Sequence, residues 1–118
     1  MSMAVERGMV AIGLKTFFRI VESWGLSQEE GASLLGFDHK PTESEIGVDS
    51  LKRISHTLGI YRALHTLLSS NAGADGWVKK PNDNPLFGGK SAVEFMLTNG
   101  LDGIEAVKKF LFAQMGHC

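Results

Sequence analysis

An all-α fold is predicted by three features of this 118-residue sequence. Apolar residues recur at steps of three and four over long stretches, as one face of a helix requires. Ser or Thr followed three residues later by Glu marks three helix starts, and Gly marks several stops. No segment of useful length alternates apolar with polar residues as a strand would. Leu14, Phe17, Val21 and Trp24 define the first helix, which Gly25 ends. Ser27 and Glu30 form a capping box that opens a second helix, closed by Gly36. Thr42 and Glu45 repeat the pattern after Pro41 and open a very short turn. The longest helix is expected from about Asp49 to Leu68, with Leu51, Ile54, Leu58, Tyr61, Leu64 and Leu68 as its buried stripe. Gly59 inside it costs roughly 1 kcal/mol relative to Ala, so packing must support it. "SSNAGADG", residues 69–76, reads as a small polar link, and "PNDNP" as a loop. Ser91 with Glu94 heads the apolar helix "SAVEFMLTNG", and Leu101, Ile104, Val107 and Leu111 mark a final helix reaching about Gln114. The expectation is six or seven helices in one compact unit, with no internal repeat.

Composition excludes several function classes. A chain of this size buries about two-thirds of its unfolded surface, so it needs neither disulfide nor metal to hold a core. Its net charge is −1, with 43% hydrophobic and 21% charged residues, so no global basic field advertises nucleic acid. Cys118 is the only cysteine, which fits a reducing compartment. No apolar run approaches membrane-spanning length, and "MSMAVERGMV" lacks the apolar stretch of a signal peptide. The expected compartment is the cytoplasm.

Each constellation of interest has a plain structural reading beside it. "NPLFGGKS", residues 84–91, ends like a phosphate-binding P-loop, but Asn84 stands where the first Gly belongs and Pro85 removes a backbone donor. A glycine turn feeding a Ser91-capped helix explains the stretch better. Gln28, Ala32, Gly36 and Phe37 follow the spacing of a helix-turn-helix, in which a small Ala lets the second helix pass. DNA would then face Gln28, Lys40, Thr42 and Ser44. Pro41 falls where the recognition helix should be under way. Between Trp24 and Gly59 three cations (Lys40, Lys52, Arg53) meet six acids, so this edge is poorly suited to a polyanion. His39, His56, His65 and His117 have no metal-ligand spacing, and no nucleophile–base pair has a supporting motif. Neither catalysis, cofactor nor metal is expected. In "KKFLFAQMGHC", Phe110 and Phe112 point to different sides of one helix, as do Leu111 and Met115, which suits a helix buried on one side by its own core and on another by a partner.

Taken together, "FFRIVESWGLSQEEGASLLG", "LKRISHTLGIYRALHTLL" and "WVKKPNDNPLFGGKSAVEFML" resemble antitoxins of the Xre/MbcA/ParS group, which are encoded beside toxins with a RES domain. The resemblance covers about Val10 to Gly116. Its most specific part is Trp77, Pro81, Asn82, Phe87, Gly89 and Ser91, the turn-and-cap element of the toxin-binding domain. It implies an Xre-like helix-turn-helix half with a long connecting helix, residues 1–70, and a small helical toxin-binding half, residues 71–118. It further implies a homodimer that covers the active site of an NAD-consuming RES toxin. The toxin-facing end maps onto Lys109, Phe112, Gln114, Met115, Gly116, His117 and Cys118. "HKPTESEIGVD" departs from the family's polar, basic recognition helix and bears on autoregulatory DNA binding. The alternative is a helix-turn-helix transcriptional regulator without a toxin partner.

Overall fold

The computed structural model describes residues 3–116, and side chains from residue 8 onward. It is all-α: α1 (Met3–Ser23), α2 (Gln28–Leu35), α3 (Val48–Leu67), α4 (Asn71–Gly76) and α5 (Ala92–Gln114), with single 3-10 turns at Glu43–Glu45, Trp77–Lys79 and Pro85–Phe87. Among the described residues the extended pairing is limited to one bridge, Pro81 with Ser91.

The caps fall where the sequence places them. Ser27 Oγ accepts from the Glu30 N–H at 3.0 Å while Glu30 accepts from the Ser27 N–H at 2.9 Å. Ser91 and Glu94 make the same exchange, each bond 3.1 Å. Gly25 and Gly36 take left-handed φ values of 70° and 92° and stop α1 and α2, a conformation that costs an L side chain about 1–2 kcal/mol. Thr42 and Glu45 form the expected box, Glu45 accepting from the Thr42 N–H at 2.9 Å, and the Glu45 N–H also donates to the Thr42 carbonyl at 3.1 Å, closing a single 3-10 turn. Residues 37–47 contain no α-helix, and Pro41 is buried there. His39 bridges Asp38 at 2.7 Å and Glu45 at 2.8 Å. Hydrogen bonding to Asp38, then to Glu45, raises its basicity.

Three sequence readings need correction. The longest uninterrupted helix is α1, at 21 residues; α3 has 20. "SSNAGADG" is not a bare link: Ser70 Oγ accepts from the Gly73 N–H at 3.0 Å and starts α4, which buries Ala74. The buried line of α3 is Ser50, Ile54, Thr57, Ile60, Ala63 and Leu64. Leu51 is exposed, and Leu58, Tyr61 and Leu68 are only half-buried. The reason is tertiary. α3 packs on α1, α2, α4 and α5, so its buried arc is wider than one apolar stripe and includes two hydroxyls. Ser50 donates to the Leu35 carbonyl at 3.2 Å, which satisfies one of them.

The core is continuous. Leu14, Phe17 and Val21 of α1 and Trp24 just after it join Ile60 and Leu64 of α3 and Ile104, Val107 and Leu111 of α5 in one buried cluster. Helices α1 and α3 run parallel: Gly13 lies against Ile54, and Thr16, Ile20 and Ser23 border the same groove as Leu58, Tyr61 and Arg62.

Arg53 ties the far ends together. Its Nε donates to Asp49 at 2.8 Å and its Nη1 to the Leu34 carbonyl at 3.2 Å, so a cation sits at the C-terminal end of α2, where the helix dipole favours it. The same guanidinium lies 3.5 Å from the place where a Cβ on Gly100 would stand. Gly100 has φ 62° and ψ −140° and breaks α5 into 92–99 and 101–114, the two helices expected from sequence. Only glycine adopts that backbone without strain. Gly100→Ala should cost about 1–3 kcal/mol in urea denaturation, whereas Gly76→Ala, at negative φ with open space around its Cβ, should change stability by less than about 1 kcal/mol.

Candidate functional site: the end of α5 and its two grooves

The loop before α5 fixes where that helix begins. Asn84 Oδ1 accepts from the Leu86 N–H at 3.0 Å and caps the turn Pro85–Phe87. Gly88 and Gly89, with φ of 59° and 85°, then reverse the chain. The Asn82 N–H donates to the Lys90 carbonyl at 3.1 Å beside the Pro81–Ser91 bridge, closing the loop. Closure drives Phe87 inward until it is 2% exposed. Its ring centroid stands 5.5 Å from both Phe95 and Phe110 and 6.0 Å from Trp77, all nearly edge-to-face. Trp77 and Phe110 stack at 6.4 Å. Such pairs contribute about 0.5–1.5 kcal/mol each beyond their burial. Trp77, Pro81, Asn82, Phe87, Gly89 and Ser91 thus form one unit: the rings pack while the others shape the backbone around them.

After the Gly100 break, Ile104, Val107 and Leu111 bury the last segment of α5 against α3. Phe110 and Phe112 remain half-buried on either side. Two grooves result. One, about 320 Å³, is lined by Gly59, Arg62, Ala63 and Thr66 of α3 with Phe112 and Met115. The other, about 330 Å³, is lined by Leu64, Leu67, Leu68, Trp77, Asn82, Phe110, Leu111 and Gln114. The sequence-named residues are therefore divided: Phe112 and Met115 face one groove and Gln114 the other. Lys109 stands outside both, 75% exposed and 3.2 Å from Glu105. Gly116 is exposed with φ 81°. His117 and Cys118 lie outside the described residues.

Sequence reading missed the α3 wall of the first groove. Gly59, Ala63 and Thr66 lie at steps of four and three on the face opposite the stripe it favoured, and that spacing of small residues was the available signal. It also missed a latch across the groove floor. The Lys108 stem lies on Gly59, with Cε 3.1 Å from where a Cβ would be. Its ammonium donates to His56 Nδ1 at 3.3 Å and sits 5.3 Å from the Phe112 ring centroid. Burial, then the Lys108 charge, lower the basicity of His56, so its neutral ring is the acceptor. Glu105 stands 3.8 Å from the other ring nitrogen. The latch holds Phe112 in place through its neighbour.

The residues named for DNA are not gathered on one helix. Gln28 and Lys40 border a groove of about 520 Å³ with Lys15, Arg19, Glu22 and Glu43, and Lys40 lies 4.9 Å over the Phe18 ring. Thr42 and Ser44 hydroxyls bond each other at 3.1 Å on the exposed 3-10 turn. His65 pairs with Asp75 at 2.8 Å, tying α3 to α4. Among the described residues no group of three or more His, Cys, Asp or Glu side chains could hold a metal ion, and no helix is long and apolar enough to cross a membrane. What the end of α5 offers is shape: an aromatic-backed helix with a groove on each side.

Comparison with known proteins places this region. Residues 63–114 match the family model of the antitoxin Xre/MbcA/ParS C-terminal toxin-binding domain. The sequence is 35% identical to the uncharacterized protein y4oB of Sinorhizobium fredii, over 94% of this chain and 90% of that one. No solved structure matches the chain. The matched span starts in the last turns of α3 and ends with α5, so it contains the whole lining of the second groove, Ala63, Thr66 and Phe112 of the first, and the whole aromatic unit. The chain belongs to the family of y4oB, and its residues 63–114 are similar to the antitoxin Xre/MbcA/ParS C-terminal toxin-binding domain.

Proposed function

We propose that this chain neutralises a cytoplasmic, NAD-consuming RES-domain toxin by laying the end of α5 across the toxin's active site. The observation that carries the reading is that the half-buried apolar rings at the end of α5 fall inside the matched toxin-binding domain. Phe112 and Met115 offer an apolar surface that a cleft can bury, at about 25 cal/mol per Å² removed from water. Lys109 and Gln114 offer polar contacts beside it. Occlusion needs no reactive group on the inhibitor, because a filled cleft cannot admit substrate. Residues 1–70 are the Xre-like half in this reading and residues 71–118 the toxin-binding half. Transcriptional autoregulation would use the face where Lys15 and Arg19 join Gln28 and Lys40.

The same reading makes the protein a homodimer. Met9 and Ile12 on α1 are 63% and 69% exposed, and Val48 and Leu51 on α3 are 71% and 39% exposed. The parallel register of the two helices brings these four to one end of the molecule, an apolar patch of the kind that marks an interface.

Three experiments bear on this. Co-expression with the RES-domain toxin encoded beside it should restore growth and cellular NAD, and removal of residues 110–118 should abolish the protection; full protection by that truncation would refute the occlusion mechanism. Gly59→Ala separates stability from recognition. The added methyl improves helix propensity by roughly 1 kcal/mol but displaces the Lys108 stem, so thermal stability should hold while inhibition weakens severalfold. Ile12→Glu combined with Val48→Glu should convert a dimer to a monomer by light scattering, with the helical circular dichroism signal unchanged.

A further inference from the structure

The cations of this protein are unevenly placed. The chain as a whole carries a net charge of −1, yet Lys52, Arg62, Lys108 and Lys109 share the flank of the molecule that bears the groove between α3 and α5. Arg62 lines it. Lys108 lies on Gly59 of the groove and bonds His56 at 3.3 Å, and Lys52 and Lys109 are also close enough to oppose protonation of that ring. The acids on this flank are Glu105, 3.2 Å from Lys109, and Asp102, one turn earlier on α5. Lys52, Arg62 and Lys109 are exposed, while Lys108 is held over Phe112. The rest of the lining is different in kind: Gly59, Ala63, Phe112 and Met115 are apolar or without a side chain, and Thr66 adds one hydroxyl, which donates to the Arg62 carbonyl at 2.8 Å.

We propose that this cationic flank docks against an acidic protein surface bordering the toxin's active-site mouth, and that the pairing governs how fast the complex forms. The inference rests on the antitoxin reading given above and names the chemistry of its partner. A surface that combines a positive rim with an apolar floor fits a protein offering carboxylates around an apolar ridge. Nucleic acid would meet the rim with phosphates but leave the apolar floor unfilled. A cleft that handles a dinucleotide needs positive groups of its own for the phosphates, so the matching carboxylates lie outside it, on the rim. Solvent-exposed lysines and arginines contribute little to final affinity. Their field acts at a distance and raises encounter rates by 10- to 1000-fold, an effect that salt screens. For an inhibitor that must outpace its target's turnover, the association rate is the quantity that matters.

The test is stopped-flow association of the full chain with the RES-domain toxin, at about 50 and 500 mM NaCl, where the Debye length shortens by roughly threefold. The association rate should fall tenfold or more with salt. The double variant Arg62→Glu/Lys109→Glu, both positions exposed and neither in the buried core, should associate at least tenfold more slowly at low salt. Its loss of affinity should come mainly from the association rate and less from dissociation. Lys80→Glu/Lys90→Glu changes net charge equally, away from the groove, and should retain most of the rate. Tight binding at a rate indifferent to salt and to the charge reversals would overturn the acidic-rim proposal and leave the antitoxin reading standing. Absence of a complex at every salt concentration would defeat both. A labelled DNA duplex that binds the parent and is lost with Arg62→Glu/Lys109→Glu would overturn the proposal by assigning the flank to nucleic acid.

Discussion

The burial of α3 sets the terms for the rest of the molecule, because α1, α2, α4 and α5 all pack against it. A helix enclosed from several directions cannot rely on a single apolar stripe. It needs small or hydrogen-bonded residues where neighbours approach closely. Ser50, Thr57 and Ala63 fill that role, with Ile54, Ile60 and Leu64 between them. Ser50 gives its hydroxyl hydrogen to the end of α2, and Arg53, one turn on, reaches the same helix end. One face of α3 thus holds the N-terminal helices, while another receives the last segment of α5. Both grooves exist because that segment is seated on α3 and not on its own loop.

The site follows from this arrangement without any reactive chemistry. Closing the loop at residues 82–90 forces Phe87 inward, Phe87 packs on Phe110, and Phe110 fixes the rotation of α5 about its axis. With that rotation fixed, Phe112 must face the α3 groove. Lys108 then braces it through Gly59 and His56. The surface proposed to bind a toxin is thus assembled from local constraints, each costing little, and a preformed surface lowers the ordering cost of association.

What could be read from the sequence was whatever depends on a few adjacent residues. The Ser27–Glu30 and Ser91–Glu94 boxes, the glycine stops at 25 and 36 and the interruption at Gly100 are local chemistry, and they stand where the residues put them. The α1 stripe was legible because α1 is buried on one side only. The α3 stripe misled because periodicity identifies an apolar face but not how many neighbours surround a helix; Thr57 and Ser50 look polar until their packing is known. The Arg53 tie and the Lys108 latch join residues distant in sequence, and no local signal announces them. The small-residue seat of Gly59, Ala63 and Thr66 shows in the sequence only as a spacing on the less apolar face of α3. Within the candidate site, the rings and the cap were readable; the wall facing Phe112 was not.

Gly100 has a consequence for how such a surface can change over time. The direction of the terminal segment is set by a backbone bend at a residue with no side chain, beside the Arg53 guanidinium. The side chains proposed to meet a toxin lie a full two turns or more beyond it. In the proposed role, steering and identity are therefore carried by separate positions, so substitutions at 109–115 would retarget the tip toward a different cleft while the angle of approach is inherited intact.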